Sequence, residues 1–368
     1  MFDSRLLRNF DFVLLAAVIL LNVISFIMIA SATHASGYDG DIYWFVKRQA
    51  TFFIINLILV VFSLRFDYEQ LERLSIPFYI FNLIMLLAVM FVGQAALGAQ
   101  RWIQIGPITL QPSEFSKLIM IIVMAKIIND RKEDFTSVWS AFPVFAFVFV
   151  PFLLVLKQPD LGTSLVFIAI VLAMLYVAGI PAKLYAYMAG AALLLAPVFW
   201  HLLKPYQKMR IMVFLDPEKD PYGSGYHIIQ SKIAIGSGML TGKGLFDGTQ
   251  SQLNFLPENH TDFIFAVIGE ELGFVGIAVV LFLYAVICYR GIKIAMEAKD
   301  DFGALLATGI VAMFCFHILV NVGMTTGIMP VTGIPLPFMS YGISAMTTNM
   351  MCIGLLLNIN LRRKTLFF

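Results

Sequence analysis

The stretch Asn254–Gly273 carries Asp262 where an apolar run begins and Glu270 eight residues further on. At 3.6 residues per turn that spacing is about two turns, which puts the two carboxylates on one side of a predicted helix. A carboxylate inside an apolar run is expensive, so such a residue is a functional candidate by default. Thr261 is the expected N-cap, with Asp262 in the first turn, where the helix dipole favours negative charge. Compensating that dipole is the bland account of Asp262. The sharper account is a general base, which works best when a desolvated site or a nearby carboxylate raises its pKa toward the working pH. Glu258 and His260 just upstream thicken the polar cluster.

A second pair, Glu114 and Lys117, lies in Gln111–Lys117, where Pro112 and Ser113 mark a helix start. Three residues apart, they share a helix face. They read either as an interfacial ion pair of small worth or as a lysine that binds phosphate, held by its glutamate. Arg48 and Arg101 stand at helix edges as snorkelling anchors; with Lys117 and Arg210 they compose an anion site suited to a pyrophosphate. Asp160, in a very short loop, is either a helix cap or a further polar group at the same surface. The candidate set also takes in Lys243, from the glycine-bearing segment Gly236–Gly248, and Ser340, from the proline-rich segment Gly327–Gly342. With Pro330, Pro335 and Pro337, that last segment cannot be regular helix, and non-helical backbone at membrane depth survives only when buried in protein or lining a watery cavity.

Other signals are weak. Asp39-Gly40-Asp41 is a D-x-D that reads as a solvated turn, and Gly269/Gly273 form a G-x-x-x-G suited to close helix packing. His201, His260 and His317 lack metal-ligand spacing. Cys288, Cys315 and Cys352 read as small buried apolar residues. No Walker loop, dinucleotide fingerprint or G-x-S-x-G is present.

The elements that must position these groups follow from composition. Of 368 residues 60% are hydrophobic and 13% charged, which excludes an ordinary soluble fold. Charge-free runs recur near the ~20 residues needed to cross a bilayer, and the resulting fold class is an all-α integral membrane protein of about ten transmembrane helices. Ten is even, so both termini share a side. Arg5, Arg8, Arg65, Arg73, Lys126, Arg131 and Lys132 fall on the side assigned as cytoplasmic, as do Lys183, Arg290, Lys293, Lys299, Arg362, Arg363 and Lys364. Only Lys47, Arg48, Arg101, Lys117 and Lys157 fall in short outer loops, so 14 basic residues against 5 put both termini in the cytoplasm. Residues 1–368 form a single polytopic domain, in which 204–261, between the seventh and eighth helices, is a long structured extracytoplasmic loop including Lys204. Within it Ile228–Gly236 is patterned as an amphipathic interfacial helix, and Asp216-Pro217 and Asp220-Pro221 are turns. The N-terminal Arg5, Arg8 and Ala30-Ser31-Ala32 imitate a signal peptide, but the apolar run is about twice the usual core length, so an uncleaved first helix is expected. The net charge of +2 gives no argument for nucleic acid.

Five ordered segments match a known pattern: Gln111–Lys117 (Q-P-S-E-F-S-K), Lys157–Thr163 (K-Q-P-D-L-G-T), Gly225–Gly238 (G-Y-H-I-I-Q-S-K-I-A-I-G-S-G), Phe255–Phe265 (F-L-P-E-N-H-T-D-F-I-F) and Met329–Gly342 (M-P-V-T-G-I-P-L-P-F-M-S-Y-G). Together they resemble the SEDS (shape, elongation, division and sporulation) family, most closely its rod-shape branch, from the first helix to the last. The resemblance implies a ten-helix peptidoglycan glycosyltransferase that polymerises lipid II at the outer face of the inner membrane during cell elongation. It places the family's essential aspartate on Asp262, its acid/base pair on Glu114 and Lys117, and its further acid on Asp160. It implies a divalent cation (Mg²⁺ or Mn²⁺), with ligands unassigned, and a class B penicillin-binding protein as transpeptidase partner in the elongation complex. Helices eight and nine are the expected partner surface. The chain departs from the family at Ile343 and Ala345, where S-Y-G-G-S-S is usual. A lipid-linked precursor flippase is the alternative; it predicts polar groups along a path to the cytoplasmic side, whereas here they gather outside.

Overall fold

In a computed structural model, residues 9–36, 40–96, 99–106, 108–135, 137–203, 205–220 and 223–363 are described. Arg5, Arg8, Asp39, Lys204, Pro221 and Lys364 lie outside the described residues. The helices are α1 (Phe12–Ala32), α2 (Trp44–Ser63), α3 (Glu69–Arg73), α4 (Ser75–Val92), α5 (Pro112–Asp130), α6 (Phe142–Lys157) and α7 (Leu161–Val177). They continue as α8 (Lys183–Leu202), α9 (Pro205–Leu215), α10 (Ser224–Ser237), α11 (Thr249–Gln252), α12 (Ile264–Met296), α13 (Asp301–Thr326) and α14 (Ile343–Leu361).

Seven of these helices are long and apolar enough to cross a membrane: α1, α2, α4, α6, α12, α13 and α14. Two more apolar helices, α7 and the first part of α8, are shorter. The 19-residue α5 carries Glu114, Lys117, Lys126 and Asp130 among its apolar residues. The chain is a mostly helical multi-pass membrane protein. Sequence capping accounts for several starts: Asp11 accepts from the Leu14 amide at 3.0 Å, Asp160 from the Thr163 amide at 3.1 Å, and Asp300 from the Gly303 amide at 2.7 Å, each satisfying a donor the first turn leaves orphaned.

The core is built on α5, α13 and α14. α5 is buried on nearly all sides between Ser113 and Ile128, and α13 and α14 bury most of their residues. By contrast α2, α4 and α8 present long apolar faces outward, with Ile58, Phe91 and Leu194 among the most exposed. Exposed apolar faces on a helical bundle of this composition are lipid-facing.

The structure departs from the sequence expectations in four places. First, the fold is not purely helical: β1 (Gln94–Ala96), β2 (Ala99–Ile105) and β3 (Ile108–Leu110) form an antiparallel sheet in the order β1-β2-β3 between α4 and α5. Secondly, the helix expected to begin at Asp262 begins at Ile264. Thr261 does not cap it, because its hydroxyl donates to Glu258 Oε2 at 2.9 Å, and the chain turns through Glu258 to Phe263 before winding up. Thirdly, α12 is interrupted at Gly273, whose φ of 63° and ψ of −160° are not helical. The segment after α10 docks into that break: Lys243 and Gly244 amides donate to the Glu270 and Glu271 carbonyls, and Phe274 and Val275 amides donate to the Met239 and Leu240 carbonyls. Gly269 does receive a helix, since a Cβ there would lie 3.3 Å from the Ile235 Cα of α10, while Gly273 receives the loop that follows. A Cβ on Gly238 would sit 1.9 Å from the Gly269 carbonyl oxygen, a separation only glycine permits. Fourthly, of the three cysteines only Cys352 is buried; Cys315 is exposed and its Sγ lies 3.4 Å from that of Cys288 on α12.

The segment Ile228–Gly236 lies within α10, which packs Ile228, Ser231 and Ala234 inward on α12 and α13, with the Ser231 hydroxyl donating to the Thr325 carbonyl at 2.7 Å.

Candidate active site

At the end of the bundle where α2, α5, α7 and α14 begin, a cavity of about 440 Å³ opens, within the usual range of ligand sites. Its wall gathers four cations, Arg48, Arg101, Lys117 and Arg210, and four acids, Glu114, Asp160, Glu258 and Asp262. All eight are residues singled out in the sequence. The N-termini of α5, α7 and α14 converge here, so their amide ends add positive potential on the wall.

Asp262 stands in the turn just outside α12. Its backbone is clamped carbonyl by carbonyl. The Tyr341 amide donates to the His260 carbonyl at 2.9 Å, the Ser340 hydroxyl to the Thr261 carbonyl at 2.6 Å, and the Asn321 amide to the Asp262 carbonyl at 3.0 Å. The segment 334–341 thus serves as a rigid splint for the residues that lead to Asp262. Gly333 lies against the carboxylate: a Cβ there would sit 3.4 Å from Oδ2. Water reaches part of the Asp262 side chain through the cavity while protein encloses the rest. That burial raises its pKa from 3.8 to about 6; the Glu258 and Asp160 charges push the same way, and Arg210 and Arg101 oppose them. A carboxylate so tuned is ionised at neutral pH yet basic enough to accept a proton in a reaction.

Glu114 and Lys117 are not an interfacial pair. They are 3% and 1% exposed, and the ammonium lies 2.9 Å from Oε1 and 2.8 Å from Oε2 of the glutamate. Paired burial of this kind holds both charges in place because breaking it strands an ion. Asp160 both caps α7 and lines the cavity; its Oδ2 accepts from the Thr163 hydroxyl at 2.9 Å. Arg101, on β2, donates to the Gln158 carbonyl at 2.9 Å and to the Pro159 carbonyl, and its guanidinium lies 3.8 Å from Asp160. The sheet absent from the sequence expectations is what carries Arg101 and Trp102 over the cavity. Arg48 lies 5.0 Å over the Trp44 ring, a cation–π contact that orients it.

Three expected site residues lie elsewhere. Glu270 points away from Asp262, into the break of α12, where its Oε1 accepts from Lys243 at 2.7 Å, the Thr249 hydroxyl at 3.2 Å and the Gln250 amide at 3.0 Å. The two-turn spacing failed because Asp262 is not helical, so no common helix face exists. Lys243 is accordingly the partner of Glu270 and does not line the cavity. Ser340 lies behind the wall as part of the splint, accepting from the Leu336 amide at 2.8 Å while donating to Thr261. At the departure from the family pattern, Ile343, Ser344 and Ala345 all line the cavity, and the Ser344 hydroxyl still accepts from the Gln111 amide at 2.9 Å.

Sequence reasoning set His317 aside for want of metal-ligand spacing, yet it lines the same cavity from α13. Its signal was available as a lone imidazole in an apolar run, but only tertiary contact shows what it faces.

Among the described residues no group of three or more His, Cys, Asp or Glu side chains stands ready to hold a metal ion. Magnesium, however, is commonly bound by one or two carboxylates together with substrate phosphates. Carboxylates of that class line the wall, Asp160 and Glu258 among them.

The family model of the FtsW/RodA/SpoVE cell cycle proteins matches residues 11–365. The chain is 42% identical over 333 residues to the peptidoglycan glycosyltransferase MrdB of Escherichia coli K12, covering 90% of this chain and 89% of that protein. It is 40% identical over 355 residues to stage V sporulation protein E of Bacillus subtilis, covering 95% and 96%. Its structure superimposes on a chain of a peptidoglycan synthase complex that coordinates polymerization and crosslinking with a TM-score of 0.81 at 31% identity, covering 95% of this chain and 97% of that one. On the rod shape determining protein RodA of Thermus thermophilus the TM-score is 0.71 at 27% identity, with 97% and 98% covered. With a half-buried aspartate, an ion-paired lysine and an arginine-lined cavity held in this bundle, the chain belongs to the FtsW/RodA/SpoVE family of cell cycle proteins.

Proposed function

We propose that this chain is a peptidoglycan glycosyltransferase that polymerises lipid II during cell elongation, with Asp262 as general base. The observation that carries the reading is one carboxylate, half-buried and raised to about 6, on a wall it shares with Arg48, Arg101, Lys117 and Arg210. Asp262 takes the proton from the 4-hydroxyl of the acceptor's GlcNAc as that oxygen attacks the anomeric carbon of the donor's MurNAc. The bond from that carbon to undecaprenyl pyrophosphate breaks, with inversion. Charge developing on the leaving pyrophosphate falls among the four cations and the helix N-termini, a preorganised electrostatic site. A Mg²⁺ or Mn²⁺ ion, held by Asp160 and Glu258, would add neutralising charge to the pyrophosphate; chelation is then expected to stop polymerisation and added Mg²⁺ to restore it.

Beside the seven long apolar helices, we read α5, α7 and α8 as completing ten crossings with both termini cytoplasmic. The cavity then faces the outer side of the inner membrane, with Arg210, Glu258 and Thr261 of the long loop on its wall. The outward apolar residues Phe274 and Phe282 of α12 and Leu319 of α13 are a surface for a class B penicillin-binding protein. Lipid II polymerisation by purified protein, with and without that partner, tests the reading: Asp262→Ala is expected to be folded and inactive, and a full-length polymer from that variant removes the base.

A further inference from the structure

α13 presents two polar side chains, His317 and Asn321, spaced four residues apart and hence on one helix face. They are 1% and 0% exposed, and the reaction above gives neither a role. His317 Nδ1 lies 3.2 Å from the Pro335 carbonyl, and its Nε2 lies 3.2 Å from Lys117 Nζ. A carbonyl only accepts, so Nδ1 carries the hydrogen; an ammonium only donates, so Nε2 turns its lone pair to the lysine. The two partners thus select one neutral tautomer. Lys117 spends one N–H on Glu114 Oε1 and one on His317. The ammonium also lies 2.8 Å from Glu114 Oε2, and the lysine lines the cavity. One turn further along, the Asn321 amide donates to the Ile334 carbonyl at 2.8 Å and to the Asp262 carbonyl at 3.0 Å. A single rigid face of α13 therefore references both the lysine and the aspartate to the same splint, the condition for holding a constellation within a fraction of an ångström.

We propose that His317 is a positioning residue that, as a neutral Nε2 acceptor, aims the Lys117 ammonium at the leaving pyrophosphate and ties it through Pro335 to the segment that holds Asp262. The proposal rests on the pyrophosphate-facing role of Lys117 in the reaction above.

Two amides divide the imidazole's two functions. Glutamine at 317 reaches far enough to accept from Lys117, whereas asparagine reaches only far enough to donate to Pro335. In lipid II polymerisation, His317→Asn is expected to lose roughly ten- to hundredfold in kcat, the worth of one hydrogen bond to a charged group. His317→Gln is expected to stay within a few-fold of wild type. Binding of undecaprenyl pyrophosphate to the purified full-length protein closes the argument through a double-mutant cycle. His317→Asn and Lys117→Met each weaken it, and the double variant binds no more weakly than Lys117→Met. Should His317→Asn not purify as a folded protein, His317→Met, which fills the site without the acceptor, takes its place. Equal rates for the Gln and Asn variants, a wild-type rate in Asn, or additive losses in the cycle each overturn the proposal. A wild-type protein that binds the pyrophosphate lipid but makes no polymer sinks the reaction instead, and the binding cycle still decides the role of His317.

Discussion

Neutralising Asp262 is expected to make the protein inactive and more stable at once. Burial raises this carboxyl from 3.8 to about 6, so the ionised form is disfavoured in the fold by about 3 kcal/mol. A raised carboxyl contributes stability that is fully present below pH 3.8 and lost as the pH rises through about 6. Above that pH the fold carries the whole penalty of an ionised, partly desolvated Asp262. Asp262→Asn removes it, so thermal unfolding of the purified protein at pH 7.5 should occur at higher temperature in the variant, with the gap shrinking steadily as the pH is lowered toward 4. In the active enzyme the same ionisation appears as the acidic limb of kcat/KM for lipid II, falling tenfold per unit below about 6 and flat above it. Neighbouring charges give the signs of two further shifts. Glu258→Gln removes a charge that raises the pKa and moves the limb to lower pH, whereas Arg210→Gln removes one that lowers it and moves the limb to higher pH. An Asp262→Asn protein no more stable than wild type at pH 7.5, together with a limb near pH 4, would refute the desolvated base.

Three other outcomes follow from the packing. Lys117→Met strands Glu114 at 3% exposure and should cost about 3–5 kcal/mol of stability; adding Glu114→Gln should recover most of it, as read by chemical or thermal unfolding. Lys243→Met leaves Glu270 and Glu271 buried together without a cation, so it should destabilise the protein while leaving the pH midpoint of polymerisation unchanged; a shifted midpoint would return Glu270 to the site. Gly238→Ala drives a methyl group to 1.9 Å from the Gly269 carbonyl oxygen, and should detach the segment after α10 from the break in α12, seen as faster amide hydrogen exchange at Lys243, Gly244, Phe274 and Val275.

The helices and most of the site were legible because they answer to local chemistry. Runs of apolar residues between charges locate α1, α2, α4, α6, α13 and α14 without any knowledge of neighbours, since lipid demands internally satisfied backbone over a set length. Eight of the chosen polar residues share one cavity because polar groups at the same ends of antiparallel helices have nowhere else to collect. Reasoning from helical spacing broke down at Asp262. A two-turn period holds only if both residues are helical, and the turn held by Ser340, Tyr341 and Asn321 keeps Asp262 out of α12.

By itself the sequence determined a polytopic helical bundle with an aspartate, a glutamate–lysine pair and a set of arginines near one end of its helices. Each of those follows from hydropathy, charge placement and neighbours within a few residues. Only the tertiary structure decided that Glu270 answers Lys243 and not Asp262, that a small sheet carries Arg101 over the cavity, and that His317 faces Lys117. These are contacts between segments as many as 200 residues apart. Their geometry depends on where α12 breaks and how the proline-rich splint folds back, which no local pattern encodes.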